Sequence, residues 1–127
     1  MSQQKQKTIL FLEDEQELLS TISNLLQDQG YTVVCVERAE EALTIVEQSI
    51  PDLILADIKL PGADGFDFFR EVRNMKECQK IPFVFLTAFN DLRAKQYAKT
   101  LGAAEYITKP FDFEYLVTRI KELSPPR

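Results

Sequence analysis

Short apolar runs alternate along the chain with longer segments in which apolar residues recur at helical spacing. The apolar runs predict five strands, at Thr8–Leu12, Thr32–Val36, Leu53–Ala56, 83–86 and Glu105–Thr108. Each run precedes a helical stripe, and the stripes are Leu18/Leu19/Ile22/Leu25/Leu26, Ala39/Ala42/Leu43/Val46, Phe66/Phe69/Val72, Ala94/Tyr97/Ala98/Leu101 and Leu116/Val117/Ile120/Leu123. Gly30 and Gly102 are predicted to end the first and fourth helices, and Asp112 to cap the last one.

Five strand-then-helix units predict a parallel sheet, because each return to the same edge of a sheet requires a crossover. The first, third and fourth strands are apolar throughout, which is typical of a sheet covered on both faces. The fold class is therefore α/β, a doubly wound sheet of (βα)5 type. Periodicity does not determine the order of the strands, but ligands of such sheets bind outside the carboxyl ends of the strands.

Polar side chains stand at these carboxyl ends. Glu13 and Asp14 follow the first strand, Asp57 the third, Thr87 the fourth and Lys109 the last. Each residue taken alone has a structural explanation, since acids favour the first turn of a helix or cap a turn, and lysines are usually solvated. Together at one rim, however, they predict a functional site.

The three acids predict a divalent cation site. Two carboxylates about 4 Å apart repel each other by roughly 4 kcal/mol at an effective dielectric constant near 20, so their clustering calls for a compensating cation. Oxygen ligands completed by water are what Mg²⁺ prefers. Lys109 precedes Pro110, which favours an extended or cis arrangement there and lets the ammonium reach across the strand ends. A metal, a lysine and a hydroxyl suffice for phosphoryl transfer, which depends mainly on positioning and charge neutralisation.

The composition narrows the function classes. The chain has 127 residues, a net charge of −5 and no histidine, so a phosphohistidine that takes part must come from another protein. The acidic balance argues against nucleic-acid binding by this domain, and no segment has the roughly 18–20 apolar residues of a membrane span. Cys35 and Cys78 lack metal-site spacing and are predicted to be free thiols, which indicates a cytoplasmic protein. We expect a polar leader at 1–7, one domain at 8–123, and a tail or the start of a linker at 124–127.

The ordered motifs resemble the receiver domain of two-component response regulators, of the chemotaxis-regulator type, over essentially residues 8–123. The matching motifs are the acidic pair Glu13-Asp14, the acceptor Asp57, the pair Thr87-Ala88, the run Lys109-Pro110-Phe111 and the D-x-x-x-P-x-x-D-G turn from Asp57 to Gly65. The resemblance implies a flavodoxin-like sheet of order 2-1-3-4-5. It also implies a signalling switch rather than a general enzyme, with activity confined to its own phosphorylation and dephosphorylation.

The resemblance implies a role for each site residue. Asp57 accepts the phosphoryl group from a histidine kinase or histidine phosphotransfer protein. Asp14 and Asp57 bind Mg²⁺ through side chains, Lys59 through its backbone carbonyl, and Glu13 chiefly through water; Mn²⁺ is expected to substitute. Lys109 neutralises phosphoryl charge. Thr87 moves inward to donate a hydrogen bond, and the switch aromatic Tyr106 is expected to become buried as it does so.

The resemblance also implies an output face on the fourth helix, last strand and last helix, which controls a downstream effector protein or domain. Its expected residues are Arg93, Lys95, Lys99, Tyr106, Tyr115 and Arg119. Arg119 and Lys121 fit the charge pattern of a phosphorylation-dependent homodimer, but Ala104 and Tyr115 stand where acids are usual and put that dimer in doubt.

Two residues beside the site are expected to set the lifetime of the acyl phosphate. Lys59 lies two residues after Asp57 and Phe89 two residues after Thr87, so both side chains should overhang the pocket. An aspartyl-phosphate hydrolase is a rival reading, but such enzymes typically have a second acid where this chain has Lys59. A scaffold that acts by protein contacts alone, without phosphorylation, is the other alternative.

Overall fold

Five parallel strands form the central sheet of the computed structural model, which describes residues 6–127. Residues 1–5 of the predicted polar leader lie outside the described residues. The strands are β1 (Thr8–Leu12), β2 (Thr32–Val36), β3 (Leu53–Ala56), β4 (Phe83–Thr87) and β5 (Glu105–Thr108). Their order across the sheet is β2-β1-β3-β4-β5, and every neighbouring pair is parallel. The predicted order 2-1-3-4-5 is confirmed.

Five helices cover the two faces of this sheet. They are α1 (Gln16–Asp28), α2 (Ala39–Gln48), α3 (Gly65–Asn74), α4 (Leu92–Leu101) and α5 (Phe113–Leu123), with a short 3₁₀ helix at Lys76–Cys78. One hydrophobic cluster joins α1 and α5 to the sheet, and a second joins α2, α3 and α4 to its other face. The predicted doubly wound architecture is therefore confirmed.

The strands β1, β3 and β4 are almost entirely apolar because both of their faces are buried. In β1, Ile9 and Phe11 pack in the cluster with α1 and α5, whereas Leu10 and Leu12 pack in the cluster on the opposite face. All four side chains are fully buried. The polar residues that follow β1 therefore emerge from a rigid support.

The predicted helix ends are found in the structure. Gly30 has a φ of 99° after α1, where the amides of Gly30 and Tyr31 donate to the carbonyls of Gln27 and Leu26. This pattern is a Schellman motif, and a residue without a Cβ adopts its left-handed conformation at the least cost. At the start of α5, the Asp112 carboxylate accepts from the Glu114 amide at 2.8 Å.

Three details differ from or extend the sequence reading. β4 includes Thr87, which pairs with Thr108 of β5. A small antiparallel hairpin joins Lys59–Leu60 to Ala63–Asp64 between β3 and α3. Ser124 is buried, and its carbonyl accepts a 2.5 Å hydrogen bond from the Tyr31 hydroxyl, so the final segment packs against the domain at its first residue.

Both cysteines are free thiols, as predicted: Cys35 is exposed and Cys78 is buried. Among the residues that the structure describes, no helix is long and apolar enough to cross a membrane.

Candidate functional site

Asp57 lies at the centre of the carboxyl edge of the sheet. It follows β3, which pairs with β1 on one side and with β4 on the other, and its amide donates to the Leu12 carbonyl at 3.0 Å. Its side chain is largely buried, since the residue is only 7% exposed. The position of Asp57 is thus determined by the sheet itself.

A cluster of three acids surrounds this position. Glu13, Asp14 and Asp57 each place a carboxylate oxygen within 4.8 Å of the others. Glu13 is buried and Asp14 is exposed, so the cluster has a closed side and an open side. Burial raises the pKa of Glu13 above its usual value, against the lowering effect of Lys109 and of the Glu15 amide. The sequence prediction that these acids meet is correct.

Lys109 reaches across the edge of the sheet to the same carboxylates. Its Nζ lies 2.8 Å from Glu13 Oε1, 3.3 Å from Asp57 Oδ2 and 4.0 Å from Glu15 Oε2. The Lys109–Pro110 peptide bond is cis. Burial lowers the pKa of Lys109, but its hydrogen bond to Glu13 and the charges of Asp57 and Glu13 outweigh that effect, so the net shift is upward. The lysine therefore remains a cation beside the acids at neutral pH.

The two oxygens of Asp57 have different surroundings. Oδ1 accepts from the amides of Ile58 at 2.6 Å and Lys59 at 3.3 Å, while Oδ2 faces the Lys109 ammonium. These two backbone hydrogen bonds hold the Asp57 carboxylate in one orientation. Oδ2 is thus the oxygen that is not bound to the backbone.

Gly65 permits a close approach that holds the loop after Asp57. Its amide donates to the Ile58 carbonyl at 2.6 Å. A Cβ at this position would lie 2.3 Å from the Asp57 carbonyl oxygen and 2.7 Å from the Ile58 Cα. The glycine belongs to the turn motif noted in the sequence, but its packing role appears only in three dimensions.

Thr87 and Tyr106 are joined through the backbone of Phe89. The Phe89 amide donates to Thr87 Oγ1 at 3.1 Å, and the Tyr106 hydroxyl donates to the Phe89 carbonyl at 2.5 Å. No acceptor for the Thr87 hydroxyl proton is found within residues 6–127, so this proton is available to another group. Tyr106 is buried. Its expected coupling to a movement of Thr87 stays a prediction.

Lys59 and Phe89 line the mouth of the site. A cavity of about 600 Å³ is bounded by Asp14, the hairpin after Asp57, Phe66 and Phe89. Lys59 Nζ lies 4.6 Å from the centroid of the Phe89 ring. The expectation that both side chains overhang the pocket agrees with this arrangement, and sequence reasoning did not foresee their contact.

The face formed by α4, β5 and α5 has an internal charge network. Glu105 Oε2 accepts from Arg119 Nε at 2.8 Å and from the Tyr115 hydroxyl at 3.1 Å. Arg119 also donates to Glu122 Oε1 at 3.0 Å. Glu105 and Glu122 were not singled out from the sequence. The pairing of Glu105 depends on how α5 packs beside β5, whereas Glu122 lies three residues after Arg119 on the same helix.

The donor set suits a small, hard divalent cation. The three acids offer only oxygen atoms, and ligands at 2.0–2.1 Å from Mg²⁺ lie at most about 4 Å apart across the ion, close to the spacing of this cluster. The open side at Asp14 leaves room for water ligands. The residues present therefore fit a magnesium-type ion.

Solved structures of known proteins share this fold. The non-phosphorylated receiver domain of HemR from Leptospira biflexa is 30% identical, with 92% of this chain and 93% of that chain covered and a TM-score of 0.85. The chemotaxis protein CheY4 from Vibrio cholerae is 29% identical, with 92% and 98% covered and a TM-score of 0.85. The Mn²⁺-bound form of the response regulator Rcp1 is 22% identical, with 91% and 92% covered and a TM-score of 0.82.

A family model described as the response regulator receiver domain matches residues 9–121. This match covers both hydrophobic clusters and every residue of the acidic site described above. The chain belongs to the response regulator receiver domain family, whose members are signalling switches of two-component systems.

Proposed function

We propose that this domain accepts a phosphoryl group on Asp57, with Mg²⁺, from a partner histidine kinase or histidine phosphotransfer protein. One observation carries the proposal. Asp57 is a largely buried carboxylate that lies beside the carboxylates of Glu13 and Asp14 and the Lys109 ammonium. The backbone holds this carboxylate in place for the reaction.

The chain supplies the nucleophile and part of the charge neutralisation. Asp57 Oδ2 attacks phosphorus in line, the phosphorus–nitrogen bond of the partner's phosphohistidine breaks, and the partner's imidazole leaves. Amides of Ile58 and Lys59 hold Oδ1, which keeps the carboxylate oriented during the attack. Lys109 moves from the Asp57 oxygen to the phosphoryl oxygens, which need the same positive charge.

Asp14 and Asp57 would hold the cation through side chains, Lys59 through its backbone carbonyl and Glu13 chiefly through water. Mg²⁺ bound there would neutralise the negative charge of the phosphoryl oxygens. Mn²⁺ takes similar oxygen ligands, and the Mn²⁺-bound form of the related fold Rcp1 supports its use as a substitute. Lys109 and Glu13 would form the inner wall that excludes bulk water.

The switch uses Thr87 and Tyr106. Once Asp57 carries a phosphoryl group, the free hydroxyl proton of Thr87 can be donated to a phosphoryl oxygen. Thr87 is bound to the Phe89 amide and Tyr106 to the Phe89 carbonyl. Movement of Thr87 would therefore displace the loop that Tyr106 contacts. Better contacts in the phosphorylated state favour the active conformation of the α4–β5–α5 face over the inactive one. This shift in population controls a downstream effector protein or domain.

Lys59 and Phe89 would set how long the phosphoryl group remains. Their contact lies at the mouth of the cavity, where water must enter to hydrolyse the acyl phosphate.

The domain boundary of 8–123 and a cytoplasmic location belong to the same proposal, and the two free cysteines support that location.

The rival functions are less well supported. A scaffold without phosphorylation gives no reason to keep Glu13 buried beside Lys109 and Asp57, because the burial of unused charges is costly. A hydrolase would want a second acid two residues after Asp57, where Lys59 stands.

Intact mass after incubation with acetyl phosphate and Mg²⁺ tests the proposal. A phosphoryl adduct is expected for the wild type and for the matched control Asp28→Asn, whose exposed aspartate lies at the end of α1. The adduct should be absent from Asp57→Asn and from wild type treated with a chelator. An adduct that persists in Asp57→Asn, or none with either acetyl phosphate or phosphorylated kinases, would refute the proposed acceptor.

A further inference from the structure

Glu15 stands at the N-cap of α1 but does not cap the helix. Its backbone is extended, with a φ of −83° and a ψ of 110°, and its side chain accepts no capping hydrogen bond. At the N-caps of α3, α4 and α5, by contrast, an aspartate carboxylate accepts from the amide two residues later. A negative charge suits the start of a helix, but Glu17 in the first turn already supplies one. The end of α1 therefore does not account for the Glu15 carboxylate.

The Glu15 carboxylate lies instead beside Lys109. Its Oε2 is 4.0 Å from Lys109 Nζ, and within residues 6–127 no other cation comes that close to it. The ammonium donates to Glu13 at 2.8 Å and to Asp57 at 3.3 Å. Because a lysine ammonium has three protons, one is left after these two bonds. Glu15 is the third carboxylate around this ammonium.

The three carboxylates around Lys109 differ in burial. The side chains of Glu13 and Asp57 are 1% and 10% exposed, whereas that of Glu15 is 60% exposed. Glu15 and Lys109 both line a cavity of about 410 Å³ between α1 and the segment that follows β5, on which Asp57 does not border. The Glu15 amide donates to Glu13 Oε2 at 3.1 Å, which ties the backbone of residue 15 to the site. Glu15 therefore covers Lys109 from the solvent side.

This position opposes the movement that phosphoryl transfer requires of Lys109. The ammonium has to turn from its carboxylate partners to the phosphoryl oxygens, and every carboxylate that attracts it resists that turn. Glu13 is buried, so the chain needs its pair with Lys109 for stability. Glu15 is exposed, and its loss would leave no buried charge unpaired. Of the three acids, Glu15 is thus the one whose attraction for Lys109 the fold does not need.

We propose that Glu15 is a positioning residue that holds Lys109 in its resting place and thereby slows transfer of the phosphoryl group to Asp57. The inference rests on the proposed function and adds to it a residue that tunes the rate. An exposed ion pair contributes little free energy, so the effect is a change of a few-fold and not a requirement for the reaction.

The rate of adduct formation provides the first test. It is measured by intact mass with acetyl phosphate at saturating Mg²⁺. Glu15→Gln should react about two- to fivefold faster than the wild type, and this advantage should shrink at high salt. Glu15→Ser also removes the charge but can cap α1, and it should be accelerated as well. The matched control Glu17→Gln removes the same charge from an exposed residue and should react at the wild-type rate.

The ammonium protons of Lys109 provide a second test that needs no phosphorylation. Their exchange with water is followed by NMR of the unmodified full chain, labelled with ¹⁵N in its lysines. Exchange should be about twofold faster or more in Glu15→Gln and in Glu15→Ser, because the ammonium has lost a partner on its solvent side. Glu17→Gln should exchange as the wild type does. Thermal unfolding of each variant establishes that it is folded.

The two measurements allow the two proposals to fail separately. Equal rates of adduct formation in the wild type and Glu15→Gln would refute the inference and leave the proposed function standing. Acceleration in Glu15→Ser alone would assign the effect to the helix cap, and equal acceleration in Glu17→Gln would assign it to net charge; either result also refutes the inference. If the wild type forms no adduct with acetyl phosphate or with phosphorylated kinases, the proposed function fails, and proton exchange alone then decides whether Glu15 holds Lys109.

Discussion

The Lys59 ammonium lies over the Phe89 ring, with Nζ 4.6 Å from the ring centroid. The contact joins the loop after β3 to the loop after β4 across the mouth of the acidic site. A cation–π contact at an exposed position contributes about 0.5–1 kcal/mol, which is enough to favour a closed mouth about two- to fivefold. The two side chains should therefore act together on the access of water.

Phe89→Ala should accelerate loss of the phosphoryl group from Asp57 about threefold or more, because it removes both the apolar cover and the contact with Lys59. The rate is measured by intact mass after the phosphodonor is removed. Lys59→Gln should have a smaller effect, and the double variant should resemble Phe89→Ala. Leu92→Ala, at a residue that is 69% exposed, is the control. An unchanged rate in Phe89→Ala would show that the ring does not shield the site.

Lys109→Met should abolish or strongly slow phosphorylation and also destabilise the fold. The change leaves buried Glu13 without its 2.8 Å partner, and we expect the free energy of unfolding to fall by about 1–3 kcal/mol. Urea unfolding measures the stability and intact mass measures the adduct. Combining it with Glu13→Gln should recover stability without recovering phosphorylation. Lys121→Met, at an exposed position of α5, should change neither.

Gly65→Ala should displace the loop that holds Asp57. A Cβ there would lie 2.3 Å from the Asp57 carbonyl oxygen, so backbone must move at a cost of about 1–3 kcal/mol. Misplacement by about 1 Å can slow a reaction about a hundredfold, and phosphorylation should slow far more than stability alone explains. Gly102→Ala is the matched control, because it introduces strain at a φ of 97° with nothing within 4 Å. If both variants were phosphorylated equally fast, the positioning role of Gly65 would be wrong.

Tyr106 should make stability depend on alkaline pH. Burial, followed by the charges of Asp91 and Asp57, raises the pKa of Tyr106 from 10.0 to about 12. Between these values the folded chain binds more protons than the unfolded chain, so stability falls as pH rises through this window. The fall from this group amounts to about 2–3 kcal/mol.

Tyr106→Phe isolates that contribution. At pH 7 the variant should be less stable by about 1 kcal/mol, because it loses the hydrogen bond to the Phe89 carbonyl. Its stability should then decline less than that of the wild type above pH 10, so the difference between the two proteins shrinks or reverses. Urea unfolding at neutral and alkaline pH measures both. Parallel pH profiles would contradict the upward shift of the Tyr106 pKa.

Local pattern was sufficient to predict most elements of this fold. The apolar runs of β1, β3 and β4 follow from burial on both faces of a sheet, and the helical stripes from packing against it. Gly30 and Asp112 mark helix ends by their own conformational preferences. β4 is one residue longer than predicted. Thr87 is polar and so interrupts the apolar run, but its backbone still pairs with β5.

The meeting of Glu13, Asp14 and Asp57 was also predictable, because the carboxyl ends of parallel strands share one edge of the sheet. Strand order was not derivable from periodicity and came from the family resemblance. The 2.5 Å hydrogen bond from the Tyr106 hydroxyl to the carbonyl of Phe89 was not foreseen either, since the two residues are seventeen positions apart in sequence.

The elements and the polar residues at the strand ends are predictable from the chain alone, because those features depend on local periodicity and backbone preference. Packing in three dimensions brings Lys109 to Glu13 as well as to Asp57, places Gly65 against the Asp57 backbone, and pairs Arg119 with Glu105 of its own chain. These contacts join separate elements, and their geometry results from how helices pack on a twisted sheet. No local pattern of residues specifies that packing.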